Sequence, residues 1–339
     1  MKYAKYIIAV LALFLALSAF SFAPESHTES DFLLDTYVSI TVYGRHGDKA
    51  AKAALARVRE LDRLLSAFYP ESDVAKINRA GANTPTAVSE ECFHLLLRAL
   101  SLCKQSDGAF DVTIKPVMDL WGFGSDNQRI PAQNELSAAL DKVDFRFVSL
   151  NSADKTVTLL KEGMAIDLGG VAKGYCADEA AEVLKNEGAE NFYLDFGGNV
   201  ITKGEIPLGL SERLKHRAKT RPFVVGIQDP KGTRGNIFET ITTEQAQTAI
   251  VTSGGYERYF EENGVNYHHI LSPATGKQPQ NGVLSVTVVG SQSETADALS
   301  TALFVLGPGG CEKFEGLFDE VLFVMDTGEV KKIYPRGEK

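Results

Sequence analysis

Helix-like and strand-like segments follow one another irregularly along this 339-residue chain. Apolar residues recur at helical spacing from Asp48 to Phe68 and again after Ser89, whereas Phe32 to Tyr43 alternates with the period of a half-buried strand. Short strands and hairpin patterns dominate the second half, without a regular strand-helix-strand rhythm. This order disfavours a doubly wound sheet and predicts an α+β fold with mixed, mainly antiparallel sheets and packed helices.

Local patterns refine this outline. The polar stretch from residue 69 to 86 predicts a loop with one helical turn, and the runs TVTLL and MAIDL predict a pair of strands. Helices are predicted from Val171 to Asn186, ending before Gly188, and from Thr295 to Leu306. The dipeptide Asn-Gly at 263–264 predicts a hairpin turn.

Composition and charge narrow the class of protein. The chain is 44% hydrophobic and 23% charged, which supports a substantial core and excludes wholesale disorder. Its formal charge of -9, with no long basic run, makes nucleic acid a poor partner. The cysteines are far apart and none forms a CxxC pair, which argues against a zinc knuckle or a redox pair.

The first residues have the pattern of an export signal. Lys2 and Lys5 precede an apolar run from Tyr6 to Leu17, and Ser21 and Ala23 supply small residues at the spacing that a signal peptidase recognises. We expect an exported protein on the extracytoplasmic side, either periplasmic or at the cell surface. The alternative is an uncleaved helix that associates the protein with the membrane.

Three units follow from this interpretation. Residues 1–23 are the expected signal peptide, residues 24–31 a short polar tether, and residues 32–336 the folded domain. One basic cluster, SERLKHRAKTRP at 211–222, lies within the domain. It is interpreted as a solvated loop or helix face, with a docking patch for an acidic protein partner as the alternative.

The segment DLGGVAKGYCAD, from Asp167 to Asp178, places two glycines between a strand and a helix. Glycines let the backbone approach a ligand closely, and the free N–H groups at a helix start favour an anion. The spacing matches neither GxGxxG nor GxxxxGK[ST], so dinucleotide-fold and P-loop assignments fail. A tight strand-to-helix turn without a ligand is the alternative.

The helix pattern ETADALSTALFVLG brings a carboxylate and a hydroxyl onto one face. Asp297 and Thr301 are four residues apart, among Ala and Leu. Oxygen ligands of this kind suit Mg²⁺, which retains water and phosphate oxygens in its coordination sphere. The alternative is Asp297 stabilised by the helix dipole and Thr301 bonded back to a carbonyl.

Two further segments complete the candidate chemistry. His268 and His269, in YHHILSPATGKQP, are adjacent on a strand and point to opposite faces, so only one can face a site. A neutral imidazole there could accept a proton from an incoming hydroxyl, or be a buried structural histidine. The aromatic-rich run GAFDVTIKPVMDLWGFG is interpreted as a turn beside a flat ring ligand, or as a corner of the core.

Taken together and in order, these stretches resemble the ApbE family, the FAD:protein FMN transferases or flavin transferases. The resemblance extends from about Leu34 to Gly310, and the stretches that carry it are DTYVSITVYG, LLSAFYPESDVAKIN, GAFDVTIKPV, IDLGGVAKGY, FGGN, VGIQDP, TSGGYERYF, YHHILSPATGKQP and ADALSTALFVLG. It implies a fold of two intimately associated subdomains. At Gly255 and Ser272 this chain departs from the aspartates that are common in the family.

The resemblance also implies a reaction: Mg²⁺-dependent transfer of FMN from FAD, the substrate, to a Thr or Ser hydroxyl of an acceptor flavoprotein, with release of AMP. By position, Asp297, Thr301 and the carbonyl of Gly170 are the implied magnesium ligands, and His269 is the residue that activates the acceptor hydroxyl. The implied FAD pocket consists of Leu34, Phe68, Ala109, Phe110, Asp111, Asp167, Lys173 and Leu271. Alternatives are an FAD pyrophosphatase that yields FMN and AMP, and a flavin-binding protein without catalysis.

Overall fold

A computed structural model describes residues 25–335. In that range the helices are Gly47–Leu65 (α1), Asp73–Arg79 (α2), Glu90–Gln105 (α3), Lys115–Trp121 (α4), Gln133–Leu140 (α5), Ala172–Asn186 (α6), Leu210–His216 (α7) and Ser293–Leu306 (α8). The first strands are Ser26–Leu33 (β1), Thr36–Tyr43 (β2), Thr86–Ala87 (β3), Val148–Asn151 (β4), Thr156–Leu159 (β5), Asn191–Phe196 (β6), Asn199–Lys203 (β7), Ile206–Pro207 (β8) and Thr220–Arg221 (β9). Those that follow are Val224–Gln228 (β10), Ile237–Thr242 (β11), Thr248–Gly254 (β12), Tyr259–Glu262 (β13), Val265–His268 (β14), Val283–Gly290 (β15), Glu320–Met325 (β16) and Val330–Ile333 (β17).

One eight-stranded sheet organises the molecule, in the order β1-β2-β6-β7-β12-β15-β16-β17. Every neighbouring pair in it is antiparallel. Helices α1, α6 and α8 pack against this sheet and against each other. The α+β class with mainly antiparallel sheets, predicted from the irregular order of segments, is confirmed.

Both faces of the sheet are covered. The main core lies between the helices and one face, where Ile40, Leu194 and Val288 are buried. The β10–β11 hairpin covers the other face and places Val225 and Ile227 in a second cluster. Strand β15 is buried along most of its length because it is central and has a layer on each side.

A smaller cluster forms beside the main core. It combines α4, α5 and the β13–β14 hairpin around Val117, Trp121 and Leu136. Trp121 is buried, and its Nε1–H donates to the carbonyl of Gly276 at 2.8 Å. The aromatic run 108–124 therefore includes a corner of the core at Trp121.

The prediction of a polar tether at residues 24–31 is wrong for Ser26 onward. Strand β1 pairs along its whole length with β2, at the edge of the sheet. A polar sequence suits an edge strand whose outer face meets water, and Thr28 Oγ1 and Thr41 Oγ1 form a cross-strand hydrogen bond of 2.9 Å. The expected continuous strand from Phe32 to Tyr43 is likewise interrupted by a turn at Leu34 and Asp35, which both have positive φ.

The predicted pairing of TVTLL with MAIDL is also wrong, because β5 pairs with β4 and β3 instead. The MAIDL segment bonds to a side chain rather than to a strand. Asn78 accepts from the N–H of Ile166 at 2.7 Å and donates to its carbonyl at 2.9 Å. Asn78 belongs to α2, a longer helix than the single turn expected there, and Ser72 caps it by accepting from Ala75 N.

The predicted signal peptide at 1–23 and the domain's final residue, 336, lie outside the described residues. Within residues 25–335, no helix has the length and apolar character needed to cross a bilayer.

Candidate active site

The glycine turn before α6 brings several predicted residues together at Gly170. A Cβ at this position would lie 3.0 Å from Phe110 Cε2 and 3.6 Å from Thr301 Oγ1. Glycine therefore leaves an open cradle between an aromatic ring and a hydroxyl that come from distant parts of the sequence. The N-terminus of the 15-residue helix α6, with its positive dipole end, begins immediately after it.

Asp297, on α8, is the buried carboxylate of this cradle and is only 2% exposed. Its Oδ2 accepts from Gly174 N at 3.0 Å, and Lys173 Nζ lies 3.1 Å from Oδ1 and 3.3 Å from Oδ2. A buried charge is costly unless it is paired and hydrogen-bonded, and both conditions are met here. The family resemblance assigns Lys173 to the FAD pocket. In the structure its ammonium lies directly against Asp297, the predicted metal ligand.

Thr301 lies one turn further along α8. Its Oγ1 is 3.3 Å from the carbonyl of Asp297, so the back-bonding alternative raised from the sequence is present. The same hydroxyl is 3.4 Å from Ser253 Oγ, at the end of β12, and Ser253 in turn bonds Ser300 at 2.8 Å. A row of hydroxyl groups therefore continues the polar lining next to Asp297.

These oxygens fit the chemistry of Mg²⁺. Among residues 25–335 no group of three or more His, Cys, Asp or Glu side chains could hold a metal by itself. The donor set at the cradle is one carboxylate with neutral oxygens from Thr301 and the Gly170 backbone. Such a set suits a hard cation that completes its shell with water and phosphate, and does not suit a structural zinc site.

The two adjacent histidines have different surroundings. The His268 ring packs edge-on against Phe304 at 5.3 Å between centroids, and its buried Nδ1 has no partner among the described residues. A Cβ at Gly255 would lie 2.8 Å from His268 Cδ2, so the glycine makes room for this ring. Burial lowers the pKa of His268 to about 4.

His269 faces the opposite way, toward Arg258. Its N–H donates to the carbonyl of Arg258 at 3.1 Å, and its Nδ1 lies 3.2 Å from the same oxygen. Because a carbonyl only accepts, Nδ1 carries the proton and Nε2 is left with a free lone pair. Burial, and then the charges of Arg258 and Lys173, lower the pKa of His269 to about 3, so the ring is neutral near pH 7.

The predicted flavin-contacting residues at the domain edge are held together by Asp62. Its Oδ1 accepts from Leu34 N at 3.2 Å, and its Oδ2 accepts from Tyr69 OH at 3.4 Å. Phe68, next to Tyr69, is 74% exposed, and Lys115 Nζ lies 5.9 Å from its ring centre. An exposed aromatic face with a cation on it is available to stack against a ring system.

Hydrogen bonds to the Asp111 carboxylate hold the loop from Ala109 to Asp111 in place. The Asp111 carboxylate accepts from Thr113 N at 2.8 Å, from Thr113 Oγ1 at 2.6 Å and from Phe145 N at 3.1 Å. Burial raises the pKa of Asp111. This carboxylate shapes the loop that presents half-buried Ala109 and buried Phe110, and its own oxygens are already engaged.

The remaining two predicted residues also have defined places. Asp167 Oδ1 accepts from Gly169 N at 2.7 Å and so shapes the glycine junction. Leu271 is buried in the small cluster with Val117 and Trp121. Its side chain is therefore committed to packing, and a ligand contact from Leu271 would come from its backbone.

Comparison with known proteins shows the family of this chain. The model of the ApbE family matches residues 34–319. The chain belongs to the ApbE family. A protein of Treponema pallidum named FAD:protein FMN transferase is 34% identical over 294 residues, which cover 83% of this chain and 79% of that protein.

Solved ApbE structures resemble the fold closely. The ApbE protein of Thermotoga maritima has a TM-score of 0.81 and 33% identity, covering 92% of this chain and 97% of that one. The flavin transferase ApbE of Vibrio cholerae has a TM-score of 0.76 and 26% identity, covering 93% of this chain and 98% of that one. The family resemblance drawn from the motifs is confirmed.

Sequence reasoning missed the residues that hold this ApbE site in shape. A Cβ at Gly174 would lie 2.2 Å from Ser293 O, so α6 and α8 touch backbone to backbone. One turn later, Asp178 accepts from Ser293 N at 3.0 Å and from Glu294 N at 2.8 Å, and so caps α8 from a neighbouring helix. A glycine inside a helical pattern was the available signal for Gly174. The role of Asp178 had no signal in the sequence.

Proposed function

We propose that this protein is an enzyme that transfers FMN from FAD to a Thr or Ser hydroxyl of an acceptor flavoprotein, forming a phosphoester and releasing AMP. The observation that carries the proposal is the convergence of Gly170, Asp297 and Thr301 beside Phe110 and Lys173. These are the positions that the family resemblance assigns to metal and flavin binding. The name of the Treponema pallidum relative supports the same activity.

Asp297, Thr301 and the Gly170 carbonyl would hold Mg²⁺ next to the diphosphate of FAD. When bound, the metal neutralises diphosphate charge and makes AMP a better leaving group. Lys173 adds a positive charge at the same place, because its ammonium lies 3.1 Å from Asp297 Oδ1. The N-terminal end of α6, which is the positive end of the helix dipole, also favours binding of the diphosphate. Together these groups stabilise negative charge on the group being transferred.

His269 is proposed to take the proton. With Nδ1–H held by the Arg258 carbonyl, Nε2 is free to accept the hydrogen of the acceptor hydroxyl. The hydroxyl oxygen then forms a bond to the FMN phosphorus, the P–O bond to AMP breaks, and AMP leaves with the electron pair. The lowered pKa keeps the ring neutral at neutral pH, so Nε2 carries the lone pair that the proposed role requires.

The reaction is tested by incubating the full chain with FAD, Mg²⁺ and a candidate acceptor domain, followed by intact-mass measurement of the acceptor. We expect a gain equal to one esterified FMN, and no gain when the acceptor's attachment Thr is replaced by Val or when Mg²⁺ is removed by a chelator. Free FMN formed equally without an acceptor would identify a pyrophosphatase instead. Tight FAD binding without turnover would identify a non-catalytic flavin-binding protein.

The metal site is tested by Asp297→Asn, which keeps the volume and removes the charge. Removal of a group that stabilises developing charge costs roughly 100-fold or more in rate. The matched control is Asp48→Asn, an exposed carboxylate on α1, which we expect to retain full transfer. Unchanged transfer by the Asp297 variant, with the fold intact, would remove Asp297 from the site.

We further propose that the protein works on the extracytoplasmic side. The support is the pattern of Lys2, Lys5, the apolar run from Tyr6 to Leu17 and the small residues that follow it. Cell fractionation with intact-mass measurement of the recovered protein tests this. Loss of residues 1–23 would indicate a cleaved signal, an intact N-terminus in the membrane fraction would indicate an anchor, and cytoplasmic recovery of the intact chain would contradict export.

A further inference from the structure

The segment from residue 204 to residue 222, here called the basic arm, projects from the sheet between β7 and β10. A short ladder closes its base, with Ile206 opposite Arg221 and Pro207 opposite Thr220, and Leu208 N donates to Lys219 O at 2.9 Å. Phe223, immediately after the arm, is buried and anchors it to the sheet. The arm is therefore attached at a defined place while its outer part lies in solvent.

The outer part of the arm is strongly cationic. Five Lys and Arg residues and one Glu lie between Ser211 and Pro222, in a chain whose formal charge is -9. The cations are Arg213, Lys215, Arg217, Lys219 and Arg221. Within the described part of the chain, none of them forms an ion pair with a carboxylate, although other surface Lys and Arg residues do. Their charge is thus available to an external anion.

Two details of the arm point to a membrane surface. Leu214 is 66% exposed and lies between Arg213 and Lys215 on helix α7. An apolar side chain between cations is typical of segments that lie at the headgroup boundary of a bilayer. The arm's own carboxylates are engaged within the arm, since Glu205 accepts from Thr220 Oγ1 and Glu212 accepts from Gly209 N at 3.3 Å.

The strand register places the arm at the end of the sheet where strand β1 begins. Ser26 lies opposite Tyr43, and Tyr43 lies opposite Asn191. Asn191 Oδ1 accepts from Glu205 N at 2.8 Å, just after β7 ends at Lys203. The described part of the chain, which begins at Glu25, therefore starts at the same end of the sheet as the arm.

The candidate active site is at the opposite end of the same strands. Strand β12 ends there at Gly254, next to Ser253 of the site. The turn between Leu33 and Thr36 lies at the same end, and its Asp35 forms an ion pair with Arg258 at 3.0 Å. The eight residues of β2 span the two ends, a distance of roughly 20 Å at the rise of a strand. A surface bound through the arm would leave the catalytic end facing away from it.

From this placement we propose that the basic arm binds anionic phospholipid headgroups and orients the enzyme on the membrane, with its catalytic end toward acceptor proteins. Each Lys or Arg near an anionic surface strengthens binding, and Leu214 adds apolar contact at the headgroup boundary. Lipid binding by the arm goes beyond the transfer reaction and does not depend on it, whereas the orientation toward acceptor proteins rests on the proposed function. The inference also rests on the proposed export, which brings the protein to the extracytoplasmic side of a membrane.

The test is hydrogen-deuterium exchange of the full chain with vesicles of phosphatidylcholine, with or without phosphatidylglycerol. We expect the amides of residues 209–222 to be protected by phosphatidylglycerol vesicles and not by pure phosphatidylcholine, and the protection to weaken at high salt. Replacing Lys215, Arg217 and Lys219 with Gln should raise the half-protecting lipid concentration roughly 100-fold. Leu214→Ser should raise it roughly tenfold.

The matched control replaces Lys52, Arg79 and Lys104, exposed residues elsewhere on the surface, with Gln and should leave arm protection unchanged. All variants should retain FMN transfer to a soluble acceptor, which separates failure of this inference from failure of the proposed reaction. Equal protection by both vesicle types, or equal protection of the Gln variant and the parent chain, would overturn the proposal. Protection by polyglutamate with none by anionic vesicles would also overturn it, in favour of an acidic protein partner.

Discussion

The contact between α6 and α8 at Gly174 gives a sharp test of how the site is held. Replacing Gly174 with Ala would place a methyl group 2.2 Å from Ser293 O and 2.5 Å from Ser293 C. Both are backbone atoms and cannot rotate away. The two helices would have to separate by roughly 1 Å to restore normal contact, which would stretch the 3.0 Å bond from Gly174 N to Asp297 Oδ2.

Three contributions determine how Gly174→Ala changes the free energy of unfolding. Overpacking a tight interior costs about 1–3 kcal/mol. Weakening a hydrogen bond to a buried carboxylate costs about 1.5–3 kcal/mol. Alanine regains about 1 kcal/mol in helix propensity over glycine. The net expectation for Gly174→Ala is a loss of about 1.5–5 kcal/mol in the free energy of unfolding, with transfer falling roughly 100-fold because Asp297 is displaced.

Urea unfolding and the intact-mass transfer assay measure the two effects separately. The matched control is Gly309→Ala, since a Cβ there has open space within 4 Å, and it should change stability by less than about 0.5 kcal/mol. A Gly174→Ala variant with parental stability and parental transfer would refute the argument that close contact of these helices sets the position of Asp297.

Further predictions concern the surroundings of the site. Asp178→Asn removes one of two acceptors for the first N–H groups of α8 and should cost about 1–2 kcal/mol, measured by urea unfolding, with weaker FMN transfer. The pKa of His268 is 6.5 in the unfolded chain and about 4 in the folded protein. Between these pH values the unfolded chain binds more protons, so the free energy of unfolding falls as the pH drops. His268→Gln should flatten this dependence in unfolding curves at pH 7 and 5. Trp121→Phe leaves the Gly276 carbonyl without its donor and should lower stability by about 2–3 kcal/mol, with an unchanged melting temperature contradicting this.

The sequence by itself determined the pieces that depend on local pattern. Periodicity located the long helices and most strands, because a buried face repeats every 3.6 or 2 residues whatever the element packs against. It also predicted Gly170, Asp297 and Thr301 as candidate site residues, since a glycine turn and two oxygen side chains one helical turn apart are local features. The family motifs then indicated that these separate pieces belong to one site.

The tertiary structure decided everything that depends on which segments meet. A polar stretch became strand β1 because β2 was available to pair with it, and the MAIDL segment was diverted from a strand by Asn78. The two histidines are equivalent in pattern, yet Phe304 and the Arg258 carbonyl give them different environments. Such partners come from far along the chain, and local spacing carries no information about contacts that form only when distant segments pack together.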